Sequence, residues 1–166
     1  NDGFLRPPMV SKCEYDLLCG EINVTTPLRY DLNYRNYYYV TSGEVEIKLV
    51  PPNKTKYLYE SKDYDIFEFI SPLDLWEIQD KYKNNYEKIK VLDITLKPGQ
   101  IVYIPAYWWY TIKFKEFSSI CKFSYRTFMS SLANSPDLFM RLLQQQNVKR
   151  DMFEKIDVEK KQTIDA

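Results

Sequence analysis

The sequence predicts an all-β domain with terminal helices, a jelly roll or barrel closed by a helical appendage. Period-2 alternation of apolar and polar residues dominates the first two-thirds of the 166-residue chain. Fifteen tyrosines, a residue suited to strands and half-buried surfaces, enrich the same region and its flanks. The clearest helical spacing, Leu138, Phe139, Leu142 and Leu143, falls near the C-terminal end. At this length one domain is expected, since about 150 residues bury roughly two-thirds of the surface their unfolded chain exposes.

Taken in order, residues 17–25, 36–41 and 44–50 read as strands, with Ser42-Gly43 as a hairpin step between the last two. Glu44, Glu46 and Lys48 alternate with Val45, Ile47 and Leu49, so this strand has one polar and one apolar face. Pro51-Pro52-Asn53 ends it. Ser71-Pro72-Leu73-Asp74 combines an N-cap, a proline at the first helical position and an early acid, predicting a helix to about Lys83 over one rim of the sheet. Strands resume at 89–96, turn at Lys97-Pro98-Gly99-Gln100, and continue over 101–104, 109–114 and 118–128. That makes an antiparallel core of about eight strands. Ser135-Pro136-Asp137 opens a further helix, a second helical stretch is expected over 149–158, and residues 159–166 read as a polar tail.

Composition excludes several function classes. Lys plus Arg and Asp plus Glu stand at 23 each, so no net field draws the chain toward nucleic acid or an anionic membrane. Cys13, Cys19 and Cys121 are odd in number and lack C-x-x-C spacing, which disfavours a disulfide framework or zinc site and favours a reducing, cytoplasmic setting. No run of about 18 apolar residues and no signal-peptide pattern occur, so no membrane partner is expected. The chain has no histidine, which removes Ser-His-Asp and Cys-His catalysis.

Three stretches together carry a family resemblance. They are L-L-C-G-E-I-N-V-T-T-P-L-R-Y-D at 17–31, N-Y-Y-Y-V-T-S-G-E-V-E-I-K-L-V-P-P at 36–52, and P-G-Q-I-V-Y-I-P-A-Y-W-W-Y at 98–110. In this order, within 13–128, they resemble the cupin-like JmjC family, in particular its asparaginyl hydroxylase-like branch. The resemblance implies a double-stranded β-helix, here expected over 1–130 as a form that allows for missing N-terminal strands, followed by a helical appendage at 131–158. It also implies iron(II)- and 2-oxoglutarate-dependent oxygenases, whose metal is held by two histidines and one carboxylate.

Carried over residue by residue, that site is degenerate. Arg29 stands where the first metal histidine belongs, Asp31 retains the carboxylate, and Tyr110 stands where the last histidine belongs. A guanidinium offers no lone pair and repels a cation, and a phenol with a pKa near 10 is a poor substitute for imidazole. The threonine that helps hold 2-oxoglutarate corresponds to Thr26 and the nearby asparagine to Asn36, whereas the lysine that pairs with its distal carboxylate falls on Val45. Arg29 and Asp31, two apart on a strand, should share a face. An Arg29–Asp31 ion pair joined by the Tyr110 hydroxyl is therefore expected in place of the metal, the alternative being that Arg29 is a strand-end surface charge. Tyr38 and Trp109 are further candidate pocket contacts.

The function expected from the sequence is a non-catalytic cupin-like protein with no metal and no cofactor, acting as a binding or structural module for a protein or peptide. Rival readings are an atypical oxygenase using Asp31, Tyr110 and another ligand, and a receptor for a small anion or extended peptide contacted by Arg29 and Thr26. Resemblance to the family also predicts homodimer pairing through the C-terminal helices. A bias to Asn, Lys, Tyr and Ile, together with a likeness to histidine-free cupin-like proteins of large DNA viruses, predicts a virion or host-cytoplasm setting.

Overall fold

A computed structural model describes residues 2–147. Among them ten strands form: β1 (Val10–Gly20), β2 (Leu28–Tyr30), β3 (Arg35–Ser42), β4 (Val45–Val50), β5 (Ser61–Asp63), β6 (Glu68–Ser71), β7 (Leu92–Leu96), β8 (Ile101–Pro105), β9 (Trp109–Phe114) and β10 (Ser118–Thr127). Two short α-helices, α1 (Lys83–Tyr86) and α2 (Phe128–Ala133), accompany them, and residues 135–147 are helical. The strands make a four-stranded sheet in the order β1-β10-β3-β8 and a six-stranded sheet in the order β5-β6-β2-β9-β4-β7. All recorded pairings are antiparallel.

Strand alternation builds two cores on the two faces of the six-stranded sheet. Between the sheets, Tyr38 and Val40 of β3, Ile104 of β8 and Ile120 of β10 meet Val45, Ile47 and Leu49 of β4 and Tyr110, Ile112 and Phe114 of β9. On the opposite face, Leu28, Tyr30, Val50 and Trp109 pack under Leu58, Leu73, Leu75, Tyr82 and Ile89 from the connection between β4 and β7. This is the jelly-roll architecture expected from the sequence, with an additional layer that the period-2 pattern alone did not announce.

The hairpin step at Ser42-Gly43 has a clear cause. Gly43 sits at φ +74°, and a Cβ there would lie 2.7 Å from the Phe117 carbonyl oxygen. β9 runs over the expected residues, β4, β8 and β10 differ from expectation by a residue at one end, and β3 is longer by a residue at each end. The first strand, however, starts at Val10 and ends at Gly20, not at 17–25. After it the chain turns through Asn23, at φ +62°, and Thr25 makes an isolated bridge to Lys113. The strand beginning near 89 starts instead at Leu92.

The helix expected from Ser71 to about Lys83 is absent; a 3₁₀ turn at Asp80–Tyr82 and α1 replace its end. Ser71 closes β6, its hydroxyl donating to the Leu58 carbonyl and accepting from the Leu73 amide at 3.1 Å. Asp74 Oδ1 accepts from the Trp76 amide at 2.8 Å. The side chains read as helix-opening thus form local turns, the alternative such residues always offer the backbone. Leu73 and Leu75, two apart, are buried in the outer core, so the burial period here is that of an extended chain. Ser135-Pro136-Asp137 does open a helix. The helical stretch expected at 149–158 and the tail at 159–166 lie outside the described residues.

Candidate functional site

The site lies at one end of the space between the sheets. On β10 the residues facing inward are Ile120, Lys122, Ser124 and Arg126, and their antiparallel partners on β1 are Leu18, Asp16, Glu14 and Lys12. The inner face therefore grades from aliphatic at one end to charged at the other. The aliphatic end is filled: Val40, Val45, Ile47, Ile112 and Ile120 are fully buried there. Val45, the residue on which the resemblance sets the 2-oxoglutarate-pairing lysine, packs opposite Leu96 and Phe114.

At the boundary between the two ends lies Asp31, immediately after β2. Its Oδ2 accepts the Tyr110 hydroxyl at 3.1 Å and the Tyr38 hydroxyl at 3.2 Å, and pairs with Lys122 Nζ at 2.9 Å. Carboxylate and ammonium are both mostly buried, with side-chain exposures of 22% and 15%. Such a carboxylate needs charge and donors to offset its lost hydration, and here one cation and two phenols provide them. The Lys122 ammonium also lies 5.7 Å from the Tyr38 ring centroid, and the Tyr38 and Tyr110 rings are 5.3 Å apart. Burial pushes the hydroxyls of both tyrosines well above the ordinary phenol range, with the Asp31 charge adding to the effect in each. Both are therefore neutral donors, and Tyr110 is not poised to become a phenolate ligand.

Arg29 does not form the ion pair expected of it. It lies opposite Tyr110 and opposite Ile70 in the sheet, and its charge is felt by the Tyr110 hydroxyl. Its guanidinium turns to the neighbouring strand β6, where Nη1 is 3.7 Å from Glu68 Oε1, and its buried Nε has no hydrogen-bond partner. The cation on Asp31 comes instead from β10 in the other sheet. Lys122 was the residue that sequence reasoning missed. Its signal was a lysine on the same strand parity as Ile120, that is, a charge on an apolar face.

Other expected contacts have structural duties. Asn36 is buried, donates to the Asn33 and Ile104 carbonyls at 3.2 and 3.3 Å, and accepts the Ser124 hydroxyl at 2.8 Å. Thr26 Oγ1 accepts the Ile112 amide at 2.9 Å, tying the 25–26 segment to β9. It lines a separate hollow of about 260 Å³ beside Ser71–Leu75, away from Asp31. Trp109 lies in the outer core, donating from Nε1 to Thr55 Oγ1 at 2.8 Å. The structure thus brings Asp31, Tyr38 and Tyr110 together, keeps Arg29 beside them, and sends Thr26, Asn36 and Trp109 elsewhere.

This donor set does not fit an iron centre of the facial-triad kind. The carboxylate oxygen is already held by an ammonium and two neutral phenols, a guanidinium stands nearby, and the chain supplies no imidazole. Among the described residues, no group of three His, Cys, Asp or Glu side chains is placed to hold a metal. The three cysteines are free thiols, Cys19 exposed and the others half-buried.

Two facing antiparallel sheets with this strand order, enclosing a site at one end, define a cupin-type double-stranded β-helix. The Cupin-like domain family matches residues 6–131, and the chain belongs to that family. HSPB1-associated protein 1 of Rattus norvegicus and of Homo sapiens are each 26% identical over 101 residues, 60% of this chain and 21% of theirs. The chain thus spans about a fifth of the length of these curated relatives. Among solved structures, hydroquinone 1,2-dioxygenase from Sphingomonas sp. TTNP3 with 4-hydroxybenzoate bound is similar, with a TM-score of 0.47 and 13% identity over 70% of this chain and 61% of that one. A cupin superfamily protein from Desulfitobacterium hafniense DCB-2 gives 0.41 and 12% over 70% and 69%. Among the described residues no helix is long and apolar enough to cross a membrane.

Proposed function

We propose that the chain is a non-catalytic member of its family, a binding or structural module in which an internal ion pair stands where catalytic relatives place iron. The observation that carries this reading is the threefold occupation of Asp31 Oδ2 by Lys122, Tyr38 and Tyr110. Bringing a divalent cation to that oxygen means displacing the ammonium that neutralises it, with a guanidinium close by and no imidazole to take up the remaining positions. The aliphatic filling around Val45 supports the same reading, since it leaves a 2-oxoglutarate carboxylate no cationic partner there. The test is turnover: protein given iron(II), 2-oxoglutarate and oxygen should release no succinate above the protein-free rate, and several turnovers per chain would establish the oxygenase reading instead.

The partner is a protein or peptide in this reading, which agrees with curated relatives named for association with HSPB1. A self-partner is favoured by one observation: Phe139, Leu142 and Leu143 of the 135–147 helix are 60%, 60% and 45% exposed. Sedimentation should then show a dimer that Leu142→Asp converts to monomer, and a monomeric parent protein would rule that pairing out. A viral setting is part of the same proposal, and the Asn-, Lys-, Tyr- and Ile-rich, histidine-free composition supports it.

A further inference from the structure

Next to Asp31, at the charged end of the barrel, a cavity of about 220 Å³ opens between β1, β10, the β5–β6 hairpin and the C-terminal helix. Its charged lining is Lys12, Lys122, Arg126 and Arg141 against Glu14 and Asp31. Both carboxylates are already engaged. Asp31 is held as described, and Glu14 pairs with Lys12 at 2.5 Å and accepts from Asn33 Nδ2 at 3.0 Å. The two lysines are thereby matched to the two carboxylates, and both arginines are left over.

Neither guanidinium forms a close ion pair with a carboxylate among the described residues, although the Arg126 charge is felt by Glu14. Arg126 directs Nε and Nη2 at Asn33 Oδ1, at 3.1 and 2.9 Å. Arg141 stacks on the Phe67 ring, 4.8 Å from its centroid, and its buried Nε has no hydrogen-bond partner. A buried, unsatisfied donor on a permanent cation calls for an acceptor that carries charge. The lining carries a surplus of two positive charges, and the space is smaller than the roughly 300 Å³ at which drug-sized ligand pockets begin. A compact dianion satisfies both conditions, and guanidinium forks match the geometry of phosphate oxygens.

We propose that this cavity binds a phosphate dianion, free or as the head of a phosphate monoester, with Arg141 and Arg126 as the anchoring cations. A phosphate monoester carries close to two negative charges at neutral pH, which equals the surplus of the lining. The proposal gives the binding-module reading a ligand class and rests on it, because a divalent metal on Asp31 would displace Lys122 and change the charge of the lining.

The experiment is calorimetric titration of the full chain with inorganic phosphate, phenyl phosphate, 2-oxoglutarate and, at equal ionic strength, sodium chloride. Saturable binding of phosphate or phenyl phosphate at millimolar concentration or below, weakened at least tenfold by Arg141→Gln, is the expected result. Equal affinity for both probes assigns free phosphate, and tighter phenyl phosphate assigns the ester. Arg141→Lys, which keeps the charge and removes the fork, should lose at least threefold and serves if the glutamine variant does not fold. Absence of phosphate binding beyond the chloride control, or unchanged affinity in the Arg141 variants, overturns the proposal. So does preference for 2-oxoglutarate. Iron content measured on the same samples separates the two readings: bound iron refutes the metal-free centre, whereas iron-free protein that ignores phosphate refutes the anion site alone.

Discussion

At the scale of single residues, one substitution series distinguishes the observed centre from the one the sequence suggested. Lys122→Met leaves Asp31 mostly buried without a cation and should destabilise the protein by about 3 kcal/mol. Arg29→Met removes a long contact to a half-exposed glutamate and should cost less than about 1 kcal/mol in the same denaturant titration. Had Arg29 neutralised Asp31, the order would be reversed. The tyrosines give a pH signature. Tyr38 and Tyr110 bind their protons more tightly when folded than the ordinary value near 10, so the stability they contribute is complete below about pH 10 and is lost as pH rises toward their folded values. Stability should therefore fall above about pH 10, and less steeply in the Tyr38→Phe/Tyr110→Phe double variant. Asp31 and Tyr110 were legible in the sequence because the family motifs fix their positions. Lys122 was not, because its role depends on the register of β10 against β3, a contact across 84 residues of chain that no local pattern encodes.

At the scale of elements, alternation located the strands well where one face is buried and the other is not. β4 is such a strand over residues 45–49, where Glu46 and Lys48 are half-exposed between buried neighbours, whereas β9 is buried on both faces. β1 is an edge strand whose first half is mostly half-exposed or exposed on both faces, so its period-2 signal is weak and its start was missed. The 71–79 segment failed for a different reason: serine, proline and aspartate signal a turn as readily as a helix start, and tertiary burial of Leu73 and Leu75 decided between them. Leu75→Ala should accordingly cost about 2–5 kcal/mol, the range for a core leucine, whereas a solvent-covering helix would have tolerated the change. The β3–β4 hairpin was readable from Ser42-Gly43 alone. Gly43→Ala should lower stability by at least about 1 kcal/mol, through left-handed backbone strain and the approach to the Phe117 carbonyl.

At the scale of the whole molecule, the space between the two sheets of the jelly roll differs in character along its length. The apolar end is packed with aliphatic side chains, the middle holds a neutralised carboxylate, and the mouth carries a surplus of positive charge. An iron-dependent relative needs the opposite arrangement, an anionic and imidazole-rich centre that attracts a cation. The central claim is that the Asp31–Lys122 pair with its two phenols occupies the place of the metal. It is tested most directly by equilibrium dialysis of the purified chain against excess iron(II) under anaerobic conditions, followed by measurement of metal per chain. The account predicts no retained iron in the wild type; about one iron per chain, released by Asp31→Ala, would contradict it.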